Sequence, residues 1–333
     1  MNRILLAAVA ATLISPVLSA CGGTEGKLVV YSGRSQELVQ PLIDRFEKQS
    51  GRKVEIRYGN SAELAATLTE EGDNTPAAVF FSQDAGALGA LQDRGLLAPL
   101  PESVLRRVQP RWRSAQGRWV GASGRARIVA YDKRKVRAGE LPATIDGFTD
   151  PRWKGRLGWA PTNASFQAFV TAYRRLRGDA AAERWLQGIV ANEPQRYEDN
   201  EPLRDALAKG EVEVGFLNHY YVAEAIAKEG PDYPVGVHFT RGGDPGSLVN
   251  VAGAAILKGS KDDGAAKAFV EYLLSRPAQE YFARETKEYP LVPGVRADRH
   301  LVPLSRIQSP RLDLSDLSDL QATEKMIQRS GAL

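Results

Sequence analysis

The chain has 333 residues, of which 43% are hydrophobic and 25% charged, as in an ordinary globular protein. Its formal net charge of +4 is not extreme, and its single cysteine excludes an internal disulfide bond. At this length two domains are favoured over one.

The N-terminal segment is typical of an export signal. Arg3 precedes an apolar stretch over residues 4–20, which is shorter than a membrane span and ends in small residues. The run Leu-Ser-Ala leads directly into Cys21 and resembles the lipobox of bacterial lipoproteins. The sequence therefore predicts a lipoprotein signal peptide over residues 1–20, lipid attachment at Cys21 and a tether over residues 21–26. A cysteine that follows an ordinary signal peptide by chance is the alternative.

Strands alternate with helices in the next part of the chain. Apolar or alternating runs predict strands over residues 27–32, 53–58 and 77–81. Helical spacing and capping residues predict three helices: one that ends at Gly51, one over residues 60–68 and one over residues 85–95. This order indicates a parallel sheet with helices on both faces. Ligands of such sheets bind at the carboxyl ends of the strands, here residues 32–36 and 82–84.

The second half continues the alternation, and the chain is expected to cross between two domains at least twice. Predicted strands lie at residues 127–131, 157–159, 211–217 and 249–257. Predicted helices cover residues 164–176, 222–228, 264–274 and 277–284, and another predicted helix starts at residue 200. Asn163, Asn200 and Asn218 each stand at a predicted strand-to-helix junction. Helix N-termini present unpaired N–H groups, so their convergence predicts an anion site, with simple helix capping as the alternative.

Tyr220 and Tyr221 follow Asn218 and His219 at the predicted start of a helix. In a strand the two phenols would face opposite sides, whereas in a first helical turn both can turn toward one point. The positive end of the helix dipole favours phenolate there. Two phenolate oxygens suit a small, highly charged cation such as ferric iron. The alternative is that one tyrosine packs in the core and the other is half exposed.

Other polar clusters indicate no catalytic chemistry. Arginines between Arg106 and Arg137 are interleaved with tryptophans, and we interpret them mainly as a solvated basic surface, because an exported protein rarely meets nucleic acid. A share of these arginines is expected to face an anion-filled cleft. The three histidines are too scattered for a metal cluster, and His219 is expected to point away from the tyrosines. The sequence contains no Gly-x-Ser-x-Gly, Walker or His-Glu-x-x-His motif. An exported enzyme or an adhesion module is therefore ranked below a binding protein.

With these residues the chain resembles the bacterial ferric-iron-binding proteins of ABC importers, which are also called transferrin-like periplasmic binding proteins. The segments that carry the resemblance are 30–34, 46–54, 71–77, 79–81, 123–127, 131–132 and 218–221. The resemblance implies an α/β, two-lobed periplasmic binding protein fold of type II. Each lobe would be a mostly parallel sheet with flanking helices, and the ligand would lie in the interlobe cleft. The expected N-terminal lobe is 27–123 plus about 251–300, and the expected C-terminal lobe is 124–250 plus about 301–333.

The resemblance also assigns site residues. It implies that Tyr220 and Tyr221 bind ferric iron, with carbonate or phosphate as the synergistic anion. The positions that correspond to the anion-binding residues of the family are Asn163, Ala164, Ser165, Asn200 and Asn218.

This chain departs from the family at the auxiliary ligands. Ser35 stands where many members have a histidine, Gln83 stands where they have a glutamate, and no third tyrosine lies near Ser165. Gln83 is expected to coordinate through its carbonyl oxygen, and Asp84 to contact the metal or the anion. These changes predict a weaker or more anion-dependent site, completed by citrate or another chelator.

The predicted function is capture rather than catalysis. We expect an exported, monomeric lipoprotein, anchored at the outer face of the cytoplasmic membrane or in the periplasm. It would bind ferric iron with an anion and deliver it to the membrane permease of an ABC importer, without binding nucleic acid. The alternative is a metal-free solute-binding protein for a small oxyanion or an organic anion.

Overall fold

The computed structural model describes residues 27–260 and 263–333. The strands are β1 (Leu28–Ser32), β2 (Val54–Tyr58), β3 (Val79–Ser82), β4 (Val120–Asp132), β5 (Leu157–Trp159), β6 (Gln195–Arg196), β7 (Val214–Asn218), β8 (Val235–His238), β9 (Val249–Ile256) and β10 (Tyr289–Pro290). The helices are α1 (Gln36–Ser50), α2 (Ser61–Glu71), α3 (Ala85–Asp93), α4 (Glu102–Leu105), α5 (Ala164–Arg177), α6 (Asp179–Ala191), α7 (Asn200–Lys209), α8 (His219–Glu229), α9 (Asp263–Leu273), α10 (Arg276–Arg284) and α11 (Leu320–Arg329). Within these described ranges, no helix is both long enough and apolar enough to cross a membrane. The predicted signal peptide, tether and Cys21 lie outside the described residues.

The first half of the sheet has the parallel order that the sequence predicts. Strand β1 lies between β2 and β3 and is parallel to both. All four residues of β3 are buried, and α1 packs Val39, Leu42, Ile43 and Phe46 into the same core. Because the parallel strands end at one edge, the loops after β1 and β3 lie side by side, and the Gly33 N–H donates to the Phe81 carbonyl over 2.8 Å.

Strand β4 joins the two halves of the sheet. Its first part pairs antiparallel with β9 and β10, and its second part pairs antiparallel with β7 and β8. The sequence predicted only residues 127–131 as a strand here, whereas the structure has one 13-residue strand with an irregularity between Gly121 and Ser123. One continuous strand therefore runs from one half of the molecule into the other.

Three helices begin at one edge of the second half. Strands β5, β6 and β7 are parallel to one another, so their carboxyl ends point the same way. Helices α5, α7 and α8 follow these strands in the chain. Their N-termini consequently face the same region, which is where ligands of open α/β sheets bind.

The apolar residues form three clusters. The first contains the residues of β1, β3, α1 and β9, and the other two pack around β5, β7 and α8. The segment after residue 300 contributes to both halves, because Ile307, Leu314 and Leu317 pack in the first cluster and Met326 and Ile327 in the second. The predicted lobe boundaries remain a prediction.

The contact between α3 and the segment around Ser315 can be tested at Gly89. A Cβ at this position would lie 2.4 Å from the Ser315 carbonyl oxygen. We expect Gly89→Ala to lower the free energy of unfolding by about 1–3 kcal/mol, even though alanine favours a helix over glycine. Urea denaturation measures the change. Gly139→Ala is the control, because nothing lies within 4 Å of its added Cβ; a Gly89→Ala protein as stable as wild type would contradict the contact.

Candidate functional site

The structure brings the two neighbouring tyrosines together at the start of a helix. Helix α8 begins directly after β7, so Tyr220 and Tyr221 both lie in its first turn. Their ring centroids are 4.2 Å apart with an interplanar angle of 31°, and each phenol is close enough to shift the pKa of the other. Both side chains are buried. The phenol oxygens therefore converge on one point.

The expected phenolate state is wrong for the ligand-free protein. Burial raises the pKa of Tyr220, although Arg125 and Arg34 oppose this effect. Burial also raises the pKa of Tyr221, and the charge of Asp199 adds to the increase. Desolvation of the anion thus outweighs the helix dipole and the nearby cations. Both tyrosines are protonated at neutral pH until something replaces the protons.

A buried cluster of charges lies beside the tyrosines. Arg34, in the loop after β1, donates from Nη1 to Glu288 Oε1 over 2.7 Å, and Arg125 Nε lies 3.9 Å from the same oxygen. Ser123 donates to the other carboxylate oxygen over 2.8 Å. Although burial opposes ionisation, the two arginines hold the pKa of Glu288 below its usual value. One carboxylate faces two guanidinium groups, so a positive charge is left over.

Several guanidinium N–H groups in and next to this cluster have no hydrogen-bond partner among the described residues. They are Arg34 Nε and Nη2, Arg125 Nε and Nη1, and Arg127 Nε. Buried polar groups are normally paired. Unpaired N–H groups beside the phenols therefore form a cradle for negative charge.

Arg127 connects the tyrosines to the start of α5. Its Nη2 donates to the Phe216 carbonyl over 2.6 Å, and its Nη1 donates to Ser165 Oγ over 3.3 Å. Burial lowers its pKa to about 9, which leaves the guanidinium charged at neutral pH. The arginine-rich stretch is therefore not all solvated surface, because Arg125 and Arg127 are buried, and the expectation that a share of these arginines faces an anion-filled cleft stays a prediction for them. Both lie in β4 with side chains turned inward, while Arg106 and Arg137 are exposed.

The three predicted asparagines occupy helix starts, with different hydrogen bonds. Asn163 caps α5, where its Oδ1 accepts from the Ser165 N–H over 2.9 Å. Asn200 is buried in the first turn of α7, and its Oδ1 has no partner. Asn218 is buried at the start of α8 without a side-chain cap hydrogen bond. Ala164 and Ser165 form the first turn of α5.

Asp199 is a site residue that the sequence analysis missed. It is the cap of α7, which places Asn200 one residue inside the helix rather than at the cap. Its Oδ1 accepts hydrogen bonds from the side chains of both Asn163 and Asn200. Aspartate caps a helix as well as asparagine does. The adjacent pair Asp199-Asn200 therefore indicates a helix start, but the sequence alone does not say which of the two residues is the cap.

A cavity of about 360 Å³ lies next to Asn163, Ala164 and Asp199, whereas neither tyrosine of the pair is among the residues that line it. It is lined from one half of the molecule by Gly33, Arg34, Ser35, Tyr58, Gly59, Asn60, Ser61 and Gln83, and from the other half by Thr162, Asn163, Ala164, Glu198 and Asp199. The cavity is thus shared between the loops after β1, β2 and β3 and the starts of α5 and α7. This is the cleft position that the fold predicts for a ligand.

Of the two neighbouring residues Gln83 and Asp84, only Gln83 lines the cavity. Its backbone N–H donates to Ser61 Oγ over 2.9 Å. Asp84 is buried as the cap of α3, where it accepts from the Ala87 N–H over 3.1 Å. Burial raises the pKa of Asp84. Its Oδ1 caps the helix, and the expected contact of Asp84 with a metal or an anion stays a prediction.

His219 holds the start of α8 in place. It is buried, accepts from the Ala126 N–H through Nδ1 over 3.1 Å, and stacks on Tyr289 with ring centroids 4.6 Å apart. Burial lowers its pKa to about 4. Within the described residues, no group of three or more His, Cys, Asp or Glu is arranged to hold a metal ion.

The chain is similar to known proteins over most of its length. Residues 41–302 match the family described as bacterial extracellular solute-binding protein. The chain is 32% identical over 322 residues to the major ferric iron-binding protein of Neisseria meningitidis serogroup B, with 96% of this chain and 97% of that protein covered. Iron-bound HitA from Pseudomonas aeruginosa has a TM-score of 0.86 at 33% identity, covering 92% of this chain and 99% of HitA. The Trichodesmium protein IdiA (FutA) in complex with iron and citrate has a TM-score of 0.79 at 31% identity, with the same coverage.

The buried His219 predicts a pH dependence of stability. Its pKa is about 4 in the folded protein against 6.5 for a free side chain, so the unfolded chain takes up a proton first as the pH falls. Stability is therefore lost between about pH 6.5 and pH 4, by roughly 3 kcal/mol for this group. We expect His219→Asn to be less stable at pH 7 but to lose less stability between pH 7 and pH 4. Urea denaturation across this range measures both slopes, and equal losses in the two proteins would contradict the assignment.

Proposed function

The chain belongs to the family of bacterial extracellular solute-binding proteins, and from this premise we propose that it captures ferric iron on Tyr220 and Tyr221. Its fold is that of a type II periplasmic binding protein, as the sequence predicted. The observation that carries the proposal is the pair of phenol rings, 4.2 Å apart, at a helix N-terminus, with charged neighbours, Arg34 and Asp199, that line the cavity between the halves. Relatives named for ferric iron binding, at 31–33% identity over most of the chain, support the choice of metal.

Ferric iron provides a cation that can replace the protons of the buried phenols. The trivalent cation replaces two phenolic protons, and the phenolate oxygens are hard ligands that match a hard ion. Iron with two phenolates keeps one positive charge, and the cluster of Arg34, Arg125 and Glu288 adds another. An anion is therefore needed to balance the site.

The anion would bind at the converging helix starts. The N–H groups of α5 and α7, with the side chains of Asn163, Ser165 and Asn200, provide donors on one side. The unpaired N–H groups of Arg34 point to the same negative charge from the other lobe. Carbonate or phosphate has the size and charge for this role, and citrate accompanies iron in the Trichodesmium complex.

Closure of the two lobes would complete the site. Only contacts that exist in the closed form can drive closure. The N-terminal lobe offers Arg34, Ser35 and Gln83 at the cavity, and the carbonyl oxygen of Gln83 is the one neutral ligand we assign to it. The histidine and glutamate of many relatives are replaced by Ser35 and Gln83, so the tyrosines and the anion carry more of the binding.

The proposals for delivery, location and anchoring are based on the family to which the chain belongs. A binding protein of this class presents its ligand to the permease of an ABC importer, and we propose the same for this chain. Location outside the cytoplasm, anchoring through a lipid on Cys21, and action as a monomer belong to the same proposal. The protein would bind its ligand without chemical turnover.

A metal-free anion is the second candidate ligand. The unpaired N–H groups of Arg34, Arg125 and Arg127 favour it, because they would hold an oxyanion without iron. The two candidates differ in one respect: only iron would involve the phenol oxygens of Tyr220 and Tyr221.

Visible absorption distinguishes the two ligands, because phenolate–ferric complexes are coloured. Adding ferric iron with carbonate or phosphate to the purified protein should produce a visible band. Tyr220→Phe and Tyr221→Phe should each lose most of it. Tyr233→Phe is a matched control, since Tyr233 is buried in the same apolar cluster and should keep the band. A wild-type protein that stays colourless with every anion, but binds phosphate by calorimetry, would favour the metal-free ligand.

Iron binding should also release protons. Because burial raises the pKa of both tyrosines, each must lose a proton when it coordinates iron at neutral pH. We expect about two protons released from the tyrosines per iron in the wild type and about one in either phenylalanine variant. Affinity should accordingly rise with pH. A pH-stat titration in unbuffered solution counts the protons, and equal release by the wild type and both variants would contradict coordination by the pair.

A further inference from the structure

A carboxylate of the protein itself occupies part of the predicted anion site. Asp199 Oδ1 accepts from Asn163 Nδ2 over 2.9 Å, from the Asn200 backbone N–H over 2.5 Å and from Asn200 Nδ2 over 3.3 Å. These are the side-chain and helix-start donors that would otherwise hold a free oxyanion. One oxygen of Asp199 therefore stands in for an oxygen of that anion.

This arrangement is more than a helix cap. A capping carboxylate usually accepts from the second or third N–H of the helix. Asp199 instead accepts from the first N–H of α7 and from two amide side chains, one of which belongs to the start of α5. It thereby joins two helix N-termini.

The buried amide of Asn200 is oriented toward the carboxylate. Asn200 is 1% exposed, its Nδ2 donates to Asp199, and its Oδ1 has no partner. An unpaired buried acceptor is costly. The orientation of this amide is therefore set by the negative charge of Asp199 and by Ser165 Oγ at 3.5 Å.

The second oxygen of Asp199 is available to a ligand. Among the described residues, no hydrogen bond is made to Oδ2, and the exposed Asp199 lines the cavity opposite Arg34 and Gln83. Hydrogen bonds connect it through Asn200 and Ser165 to the buried Arg127. The carboxylate thus lines the open cavity and is connected to the buried charged groups of the site.

We propose that Asp199 is a built-in anion, which holds the helix-start donors through Oδ1 and offers Oδ2 to the iron as a third anionic oxygen ligand. The inference rests on the proposed function and deepens it. Asp199 restores, from the C-terminal lobe, the carboxylate that Gln83 does not supply from the N-terminal lobe. Iron binding then proceeds without an added anion, and free carbonate or phosphate has to displace the Asp199 carboxylate to enter the site.

The first test is iron binding by Asp199→Asn in buffer depleted of carbonate and phosphate. Asparagine keeps the shape and the capping ability but removes the charge. We expect the visible band of the wild type to form without added anion, and the affinity of Asp199→Asn to be lower by roughly 10- to 100-fold. Added phosphate should restore most of the loss.

Glu201→Gln is the matched control, because Glu201 is an exposed carboxylate in the first turn of the same helix, lies outside the cavity lining, and should leave binding unchanged. Thermal unfolding verifies that each variant is folded, and Asp199→Ser, which also caps a helix, replaces Asp199→Asn if that variant fails to fold. Equal iron affinity of wild type and Asp199→Asn without added anion would overturn the inference.

The second test uses phosphate alone, so that it does not depend on iron. Calorimetry should show that Asp199→Asn binds inorganic phosphate more tightly than the wild type, by about 10-fold or more, since one like charge is removed from the site. Unchanged phosphate affinity would overturn the inference. The proposed function fails separately, if Tyr220→Phe and Tyr221→Phe bind iron as well as the wild type does.

Discussion

Two buried guanidinium groups share one carboxylate beside a pair of protonated phenols. Among the described residues, Glu288 is the carboxylate within ion-pair distance of both Arg34 and Arg125. Removing charges from water is costly unless they are paired. The proposed ligand, a trivalent metal together with an anionic oxygen group, would convert the phenols to phenolates and supply the negative charge that the guanidinium groups lack.

The fold places these charges where a ligand can reach them. Parallel strands bring the loops after β1 and β3 to one edge, and strands β5, β6 and β7 bring three helix starts to another. The long strand β4 carries Arg125 and Arg127 through the junction between the two halves. The binding chemistry is thus divided between elements far apart in the chain, and any change in the angle between the halves alters the site.

Local patterns predicted the strands of the parallel half, the helix after Asn163 and the position of the tyrosine pair. They missed α6, and they did not identify the partners of the tyrosines. Glu288 lies 254 residues from Arg34, and nothing in the local sequence joins them. The inward direction of Arg125 and Arg127 depends on which face of β4 is covered. The raised pKa of the phenols likewise depends on burial, which only the packed structure determines.

The most direct measurement is an anomalous diffraction map of the crystallised, iron-loaded protein. We expect one iron peak in the interlobe cleft, within bonding distance of the hydroxyl oxygens of both Tyr220 and Tyr221. A peak that contacts only one tyrosine, or iron bound away from the start of α8, would contradict the account.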